Sequence, residues 1–114
     1  MPYIRVQTNA ELDNEAAAAL ASKVSTLASL LTGKPERWVM ASVEPGAALV
    51  YGGLFEAAAF VEFKSIGLDA AMFPELSAAL CGLLEAEAKI PADRVYIEFT
   101  DLPRAMFGWN STTF

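Results

Sequence analysis

Sliding the chain past itself by 56 residues brings its two halves into correspondence. Leu20, Val24 and Leu27 fall on Leu76, Leu80 and Leu83. Pro35-Glu36-Arg37-Trp38-Val39 falls on Pro91-Ala92-Asp93-Arg94-Val95. Few residues are identical, but the punctuation matches, and each half reads strand, helix, proline, strand. In the first half, Ile4 and Val6 alternate with Tyr3, Arg5 and Gln7, the period of a half-buried strand over Pro2–Thr8. Asp13 or Asn14 caps a helix that runs to about Leu31, with Leu20, Val24, Leu27 and Leu31 on one stripe. Thr32-Gly33 ends it, Pro35 prevents a restart, and Trp38–Val43 reads as a second strand. In the second half, Glu56–Lys64 reads as a strand. A helix over Met72–Ala88 follows, with Leu76, Leu80 and Leu83 or Leu84 inward. Val95–Thr100 is the last long strand. Pro103–Phe114 reads as an irregular tail with a short strand near its end.

A β-α-β crossover makes its two strands parallel and right-handed. Two such units, at about residues 2–45 and 56–101, predict one α+β domain over residues 1–114. Its four-stranded mixed sheet carries both helices on one face. If Val95, Ile97 and Phe99 face the helices, Tyr96 and Glu98 face away, joined by Arg5, Gln7, Met40 and Ser42. That second face is too mixed for a core and too apolar for plain solvent surface. A sheet covered on one side often completes its burial by association, so an oligomer is expected; a monomer with a solvated face is the alternative.

Composition narrows the chemistry. The chain has no histidine and one cysteine, so a His-based metal site, a Ser-His-Asp triad, a Cys-His pair and a disulfide framework all fall away. Eight Lys and Arg against 14 Asp and Glu give a net charge of −6, poor for phosphate contacts, so no nucleic-acid partner is expected. Hydrophobic residues make up 54% of the chain, but 21 of the 114 residues are alanine. The longest uncharged run, Pro45–Phe55, is far shorter than the ~18–20 apolar residues of a membrane span. The start shows no basic region followed by a long apolar one, so no signal peptide and a cytoplasmic location are expected.

Six motifs carry a resemblance across essentially the whole chain. They are Pro2 directly after the initiator, Thr32-Gly33-Lys34-Pro35, Ser65-Ile66-Gly67, Leu80-Cys81-Gly82-Leu83-Leu84, Asp93-Arg94-Val95-Tyr96-Ile97, and Gly108-Trp109-Asn110 followed by Ser111-Thr112 and Phe114. In this order they resemble the macrophage migration inhibitory factor family of the tautomerase superfamily. The resemblance implies a homotrimer with three sites at subunit boundaries. It implies keto–enol isomerisation of arylpyruvates such as phenylpyruvate, with dopachrome-type isomerisation as a related activity. It also implies Pro2 as the general base once Met1 is removed. Lys34 and the Ile66 amide would bind substrate, and Tyr96 would come from the neighbouring subunit. No metal or cofactor is implied. A family that includes a secreted cytokine leaves open a signalling or binding protein with a vestigial site.

The chemistry suits those assignments. Shifting a proton between carbon and oxygen of a keto acid needs a base at the carbon, a cation for the carboxylate and a donor for the enolate oxygen. An α-amine is a base only when neutral. Burial and a nearby lysine both lower its pKa from ~8. Tyr3, Met40, Phe107 and Trp109 are candidates for an apolar rim, Phe107 and Trp109 also for packing at a subunit boundary. Without the resemblance, Pro2 reads as a rigid strand start, Lys34 as a loop lysine favouring the helix dipole, and Tyr96 as a strand aromatic. Two departures stand out. The cytokine's Cys-x-x-Cys is replaced by Ala58-Ala59-Phe60-Val61, and Cys81, expected to be buried and inert, offers no thiol exchange. Glu98 stands where the cytokine has asparagine. A carboxylate there opposes a low Pro2 pKa and repels an anionic substrate, unless Arg5 or another cation pairs it.

Overall fold

The computed structural model describes residues 1–114. Strand β1 (Tyr3–Thr8), helix α1 (Asn14–Thr32) and strand β2 (Met40–Glu44) form the first unit. Strand β3 (Ala59–Ile66), helix α2 (Phe73–Ala88) and strand β4 (Val95–Leu102) form the second. The sheet order is β2-β1-β3-β4. Strands β1 and β2 are parallel, as are β3 and β4, and β1 runs antiparallel to β3.

The inner face carries the alternation seen in the sequence. Ile4 pairs with Ala41 and Phe63, and Val6 with Val43 and Val61. These side chains meet Leu20, Val24 and Ala28 of α1 and Leu76, Leu80 and Leu84 of α2 in one continuous core. The helix stripe differs slightly from the expected one. Leu27 and Leu31 are half-buried, and Ala28 is buried. The offset of 56 carries the buried positions 20, 24 and 28 onto the buried positions 76, 80 and 84. It also carries helix punctuation across. Asp13 accepts from the Ala16 N–H, and Asp69 from the Ala71 N–H. Gly33 and Lys89, at the two helix ends, both adopt left-handed backbone, φ 72° and 56°. Glycine does so without strain, whereas lysine gives up some stability for the same cap.

Element boundaries moved where side chains take backbone groups away from the ladder. The second strand begins at Met40, not Trp38, because Glu36–Trp38 is a 3-10 turn, with Trp38 N–H donating to the Pro35 carbonyl. The third begins at Ala59, not Glu56. Asn9 donates to the Leu49, Phe55 and Glu56 carbonyls and accepts from Ala58 N–H. Arg94 holds the Tyr51, Leu54, Glu56 and Ala57 carbonyls of the same loop. At their far ends β3 and β4 extend to Ile66 and Leu102, where Asp101 accepts from the Gly67 and Leu68 N–H groups. The tail is not wholly irregular. Strands β5 (Gly108–Trp109) and β6 (Thr112–Thr113) form a hairpin whose turn residues, Asn110 and Ser111, both have positive φ.

The outer face of the sheet is uncovered. Only 18 of the 114 residues are buried, and Met40 and Tyr96 remain 67% and 59% exposed on that face. Its rows are Met40-Tyr3-Lys64-Thr100, Ser42-Arg5-Glu62-Glu98 and Glu44-Gln7-Phe60-Tyr96. No helix is long and apolar enough to cross a membrane.

Candidate active site

A cleft of about 280 Å³ opens where β1 begins. Its floor is Pro2, fully buried at the sheet edge, with Tyr3 and Met40 beside it. The 3-10 turn contributes Arg37 and Trp38, and the C-terminal hairpin folds back to contribute Phe107, Trp109 and Phe114. These aromatic rings pack on one another. Trp38 meets Trp109 edge-on at 4.9 Å and Phe114 at 5.7 Å, while Trp109 and Phe114 stack at 5.6 Å. Phe107 meets Phe114 at 5.8 Å. All four expected rim residues, Tyr3, Met40, Phe107 and Trp109, therefore line one cavity. Trp38 and Phe114 were missed. In the sequence Trp38 reads as a strand residue, and Phe114 carries no periodic signal.

The chain's amino group sits at this cleft. The Met1 amine donates to the Trp38 carbonyl at 2.8 Å. Burial, and then the Lys34 cation, pull its pKa from 8.0 down to about 6. Lys34 leaves the end of α1 through Gly33 and points its ammonium at the Ile66 carbonyl, 2.8 Å away. Lys34 and Ile66 thus stand together beside the cleft, and the lysine's charge reaches the amine. Ile66 is the last residue of β3 rather than a residue beyond it.

Tyr96 is not with them. It pairs with Phe60, whereas Tyr3, next to Pro2, pairs with Lys64 four residues further along β3. At ~3.3 Å per residue that is ~13 Å along the strand. Tyr96 lines a separate surface hollow of about 390 Å³ with Leu49, Tyr51 and Phe60, its ring stacked on Tyr51 at 4.8 Å. Within one chain Tyr96 and Pro2 cannot act on one small molecule. Arg5 is also committed, with two hydrogen bonds to Glu44 (2.8 and 3.0 Å) and one to Glu62 (3.2 Å). Glu98, directly opposite Glu62, has no cation. Cys81 is half-buried rather than fully buried, and burial pushes its thiol pKa up, away from reactivity.

The family model for macrophage migration inhibitory factor matches residues 1–114. A macrophage migration inhibitory factor homolog of Brugia malayi is 36% identical over 115 residues, covering 100% of this chain and 99% of that protein. The macrophage migration inhibitory factor of Mus musculus is 34% identical with the same coverage. Among solved structures, the homologue from Prochlorococcus marinus superposes with a TM-score of 0.93 at 39% identity, covering 98% of each chain. That from Trichinella spiralis gives 0.89 at 30% identity, covering 98% of this chain and 99% of the other. The fold of two β-α-β units around one mixed sheet is thus shared over nearly full length, and the chain belongs to the macrophage migration inhibitory factor family.

Proposed function

We propose that the protein is a cofactor-independent tautomerase acting on arylpyruvates, with the amine of Pro2 as its base. The carrying observation is that the chain starts in a cleft walled by aromatic rings, where burial and Lys34 lower the Met1 amine to about 6, next to the Pro2 nitrogen that is still a peptide nitrogen here. Removing Met1 exposes a secondary amine against the same walls and under the same lysine. At pH 7 such a group is mostly neutral and free to accept a proton.

The reaction is redox-neutral. The Pro2 nitrogen takes a proton from the carbon next to the keto group. The C–H electron pair becomes the new C=C π bond while the C=O π pair moves onto oxygen, which receives a proton. In the reverse direction the protonated amine returns its proton to carbon. Lys34 holds the substrate carboxylate as a point charge. The Ile66 N–H and Tyr96 stabilise the oxygen side as charge develops. Phe107 and the neighbouring aromatic rings cover the aryl group and exclude water.

Because Tyr96 lies more than ~13 Å along the sheet from Pro2, this reading requires a second copy. The uncovered outer face, with Met40 and Tyr96 exposed, supports a homotrimer in which one subunit's Tyr96 completes another's cleft. Ketonisation of enol phenylpyruvate tests the activity, on protein whose amino terminus is verified by mass spectrometry. The parent should exceed Pro2→Gly by orders of magnitude. Equal slow rates would overturn the enzymatic reading in favour of a binding protein with a vestigial site.

A further inference from the structure

The cleft holds a cation that the mechanism above does not use. Arg37 lines its wall, with its guanidinium 5.5 Å from the centre of the Trp38 ring. The chain has eight Lys and Arg against 14 Asp and Glu. Here the four ion pairs involve only Arg5, Lys23 and Lys64. The carboxylate nearest to Arg37 in sequence, Glu36, is turned onto α1. There it accepts from the Ser25 hydroxyl at 3.0 Å and the Thr26 hydroxyl at 3.4 Å. No Asp or Glu side chain lines the cleft. Pro35 and the 3-10 turn fix the backbone, and Trp38 supports the guanidinium plane, so less motion is lost when its N–H fork meets an oxyanion.

We propose that Arg37 forms a second anion subsite at the Pro2 cleft, selecting oxo acids that carry a second negative group at the end remote from the keto acid. The inference rests on the keto-acid reading for the orientation of the substrate. In that orientation Lys34 takes the first carboxylate, the aryl or alkyl body lies among Trp38, Phe107 and Trp109, and the distal carboxylate or phosphonate reaches Arg37. Lysine is a compact point charge suited to the reacting end, whereas arginine suits a planar oxyanion that must be recognised without reacting.

Two measurements test this. In the first, quenching of Trp38 and Trp109 fluorescence reports binding of benzoate and of benzene-1,4-dicarboxylate, neither of which reacts. The parent should bind the dicarboxylate about tenfold more tightly, and Arg37→Gln should remove most of that preference. Added salt should erode the preference, as expected for a partly exposed charge. Equal binding of the two ligands by the parent would overturn the proposal. So would a preference that survives Arg37→Gln. In the second, kcat/KM is compared for phenylpyruvate and its para-carboxy derivative. Arg37→Gln should lower the ratio of dianion to monoanion about tenfold, through KM, and Arg37→Lys should restore part of it. An unchanged ratio refutes the subsite as a determinant of substrate choice. A protein that turns over neither compound, yet keeps the dicarboxylate preference, would refute the tautomerase reading and leave the subsite standing.

Discussion

Replacing Lys34 by methionine keeps an unbranched side chain one atom shorter and deletes its charge. Two consequences follow, and their sizes differ. The first concerns the base. Burial is the larger cause of the fall from 8.0 to about 6 at the chain's amine, and Lys34 the smaller. Loss of the lysine therefore returns less than about half of that fall, leaving the amine below about 7. At pH 7 a base with a pKa of 6 is ~90% neutral and one with a pKa of 7 is ~50% neutral, so the active population falls less than about twofold. The second concerns substrate. A charge-assisted contact to a carboxylate contributes ~1.5–3 kcal/mol, or ~10–100-fold in affinity. Lys34→Met should thus act mainly by raising KM. The acidic limb of the pH–rate profile should also move upward by less than about one pH unit. The limb's direction follows from the base. Activity requires the neutral amine, so it is lost as pH falls through the pKa of the Pro2 amine, which burial and Lys34 hold below the ~8 of a free α-amine. Steady-state kinetics on enol phenylpyruvate between about pH 5 and 9 separate the effects. A thermal melt shows whether the freed Ile66 carbonyl costs more than ~1–3 kcal/mol of stability. A tenfold fall in kcat at pH 7 with KM unchanged would refute this reasoning, because it would place Lys34 in the chemistry rather than in binding.

Tyr96→Phe should lower kcat/KM although Tyr96 is remote from Pro2 in its own chain. Co-refolded Pro2→Gly and Tyr96→Phe subunits should regain about one quarter of parental activity, since a random trimer pairs an intact Pro2 with a neighbour's intact Tyr96 at that frequency. No recovery would exclude a shared site. Glu98→Gln should move the acidic limb to lower pH and reduce KM for phenylpyruvate, because Glu98 lies opposite Glu62 without a cation to neutralise it. Superimposable profiles would mean that Glu98 lies too far from the base to matter. Leu80→Ala removes a side chain only 1% exposed between α2 and the sheet and should cost ~2–5 kcal/mol in urea denaturation.

What the residues announced in advance were the features set by local periodicity. Ile4 and Val6, alternating with polar neighbours, placed β1 with its correct face inward. Leu20, Val24, Leu76 and Leu80 marked both helix interfaces, because each element buries one stripe against a common sheet. The sequence was less clear where a side chain overrides the local pattern. Asn9 and Arg94 bind loop carbonyls far away in the chain, and no window around Glu56 shows that β3 must wait until Ala59. Ala28 packs at a buried position that a search for large apolar residues passes over in favour of Leu27. Pro2 in the cleft and Lys34 beside it were singled out through resemblance alone. Trp38, Arg37 and Phe114 become neighbours only because a 3-10 turn and a short hairpin bring opposite ends of the chain together.

The decisive measurement is a pH titration of the Pro2 nitrogen by ¹⁵N NMR, on protein labelled at proline and confirmed to begin at Pro2. A midpoint well below the ~8 of a free α-amine, with a neutral secondary amine at pH 7, is the predicted result. A nitrogen that stays cationic up to pH 8 or beyond would contradict the account, because it would leave the cleft without a base.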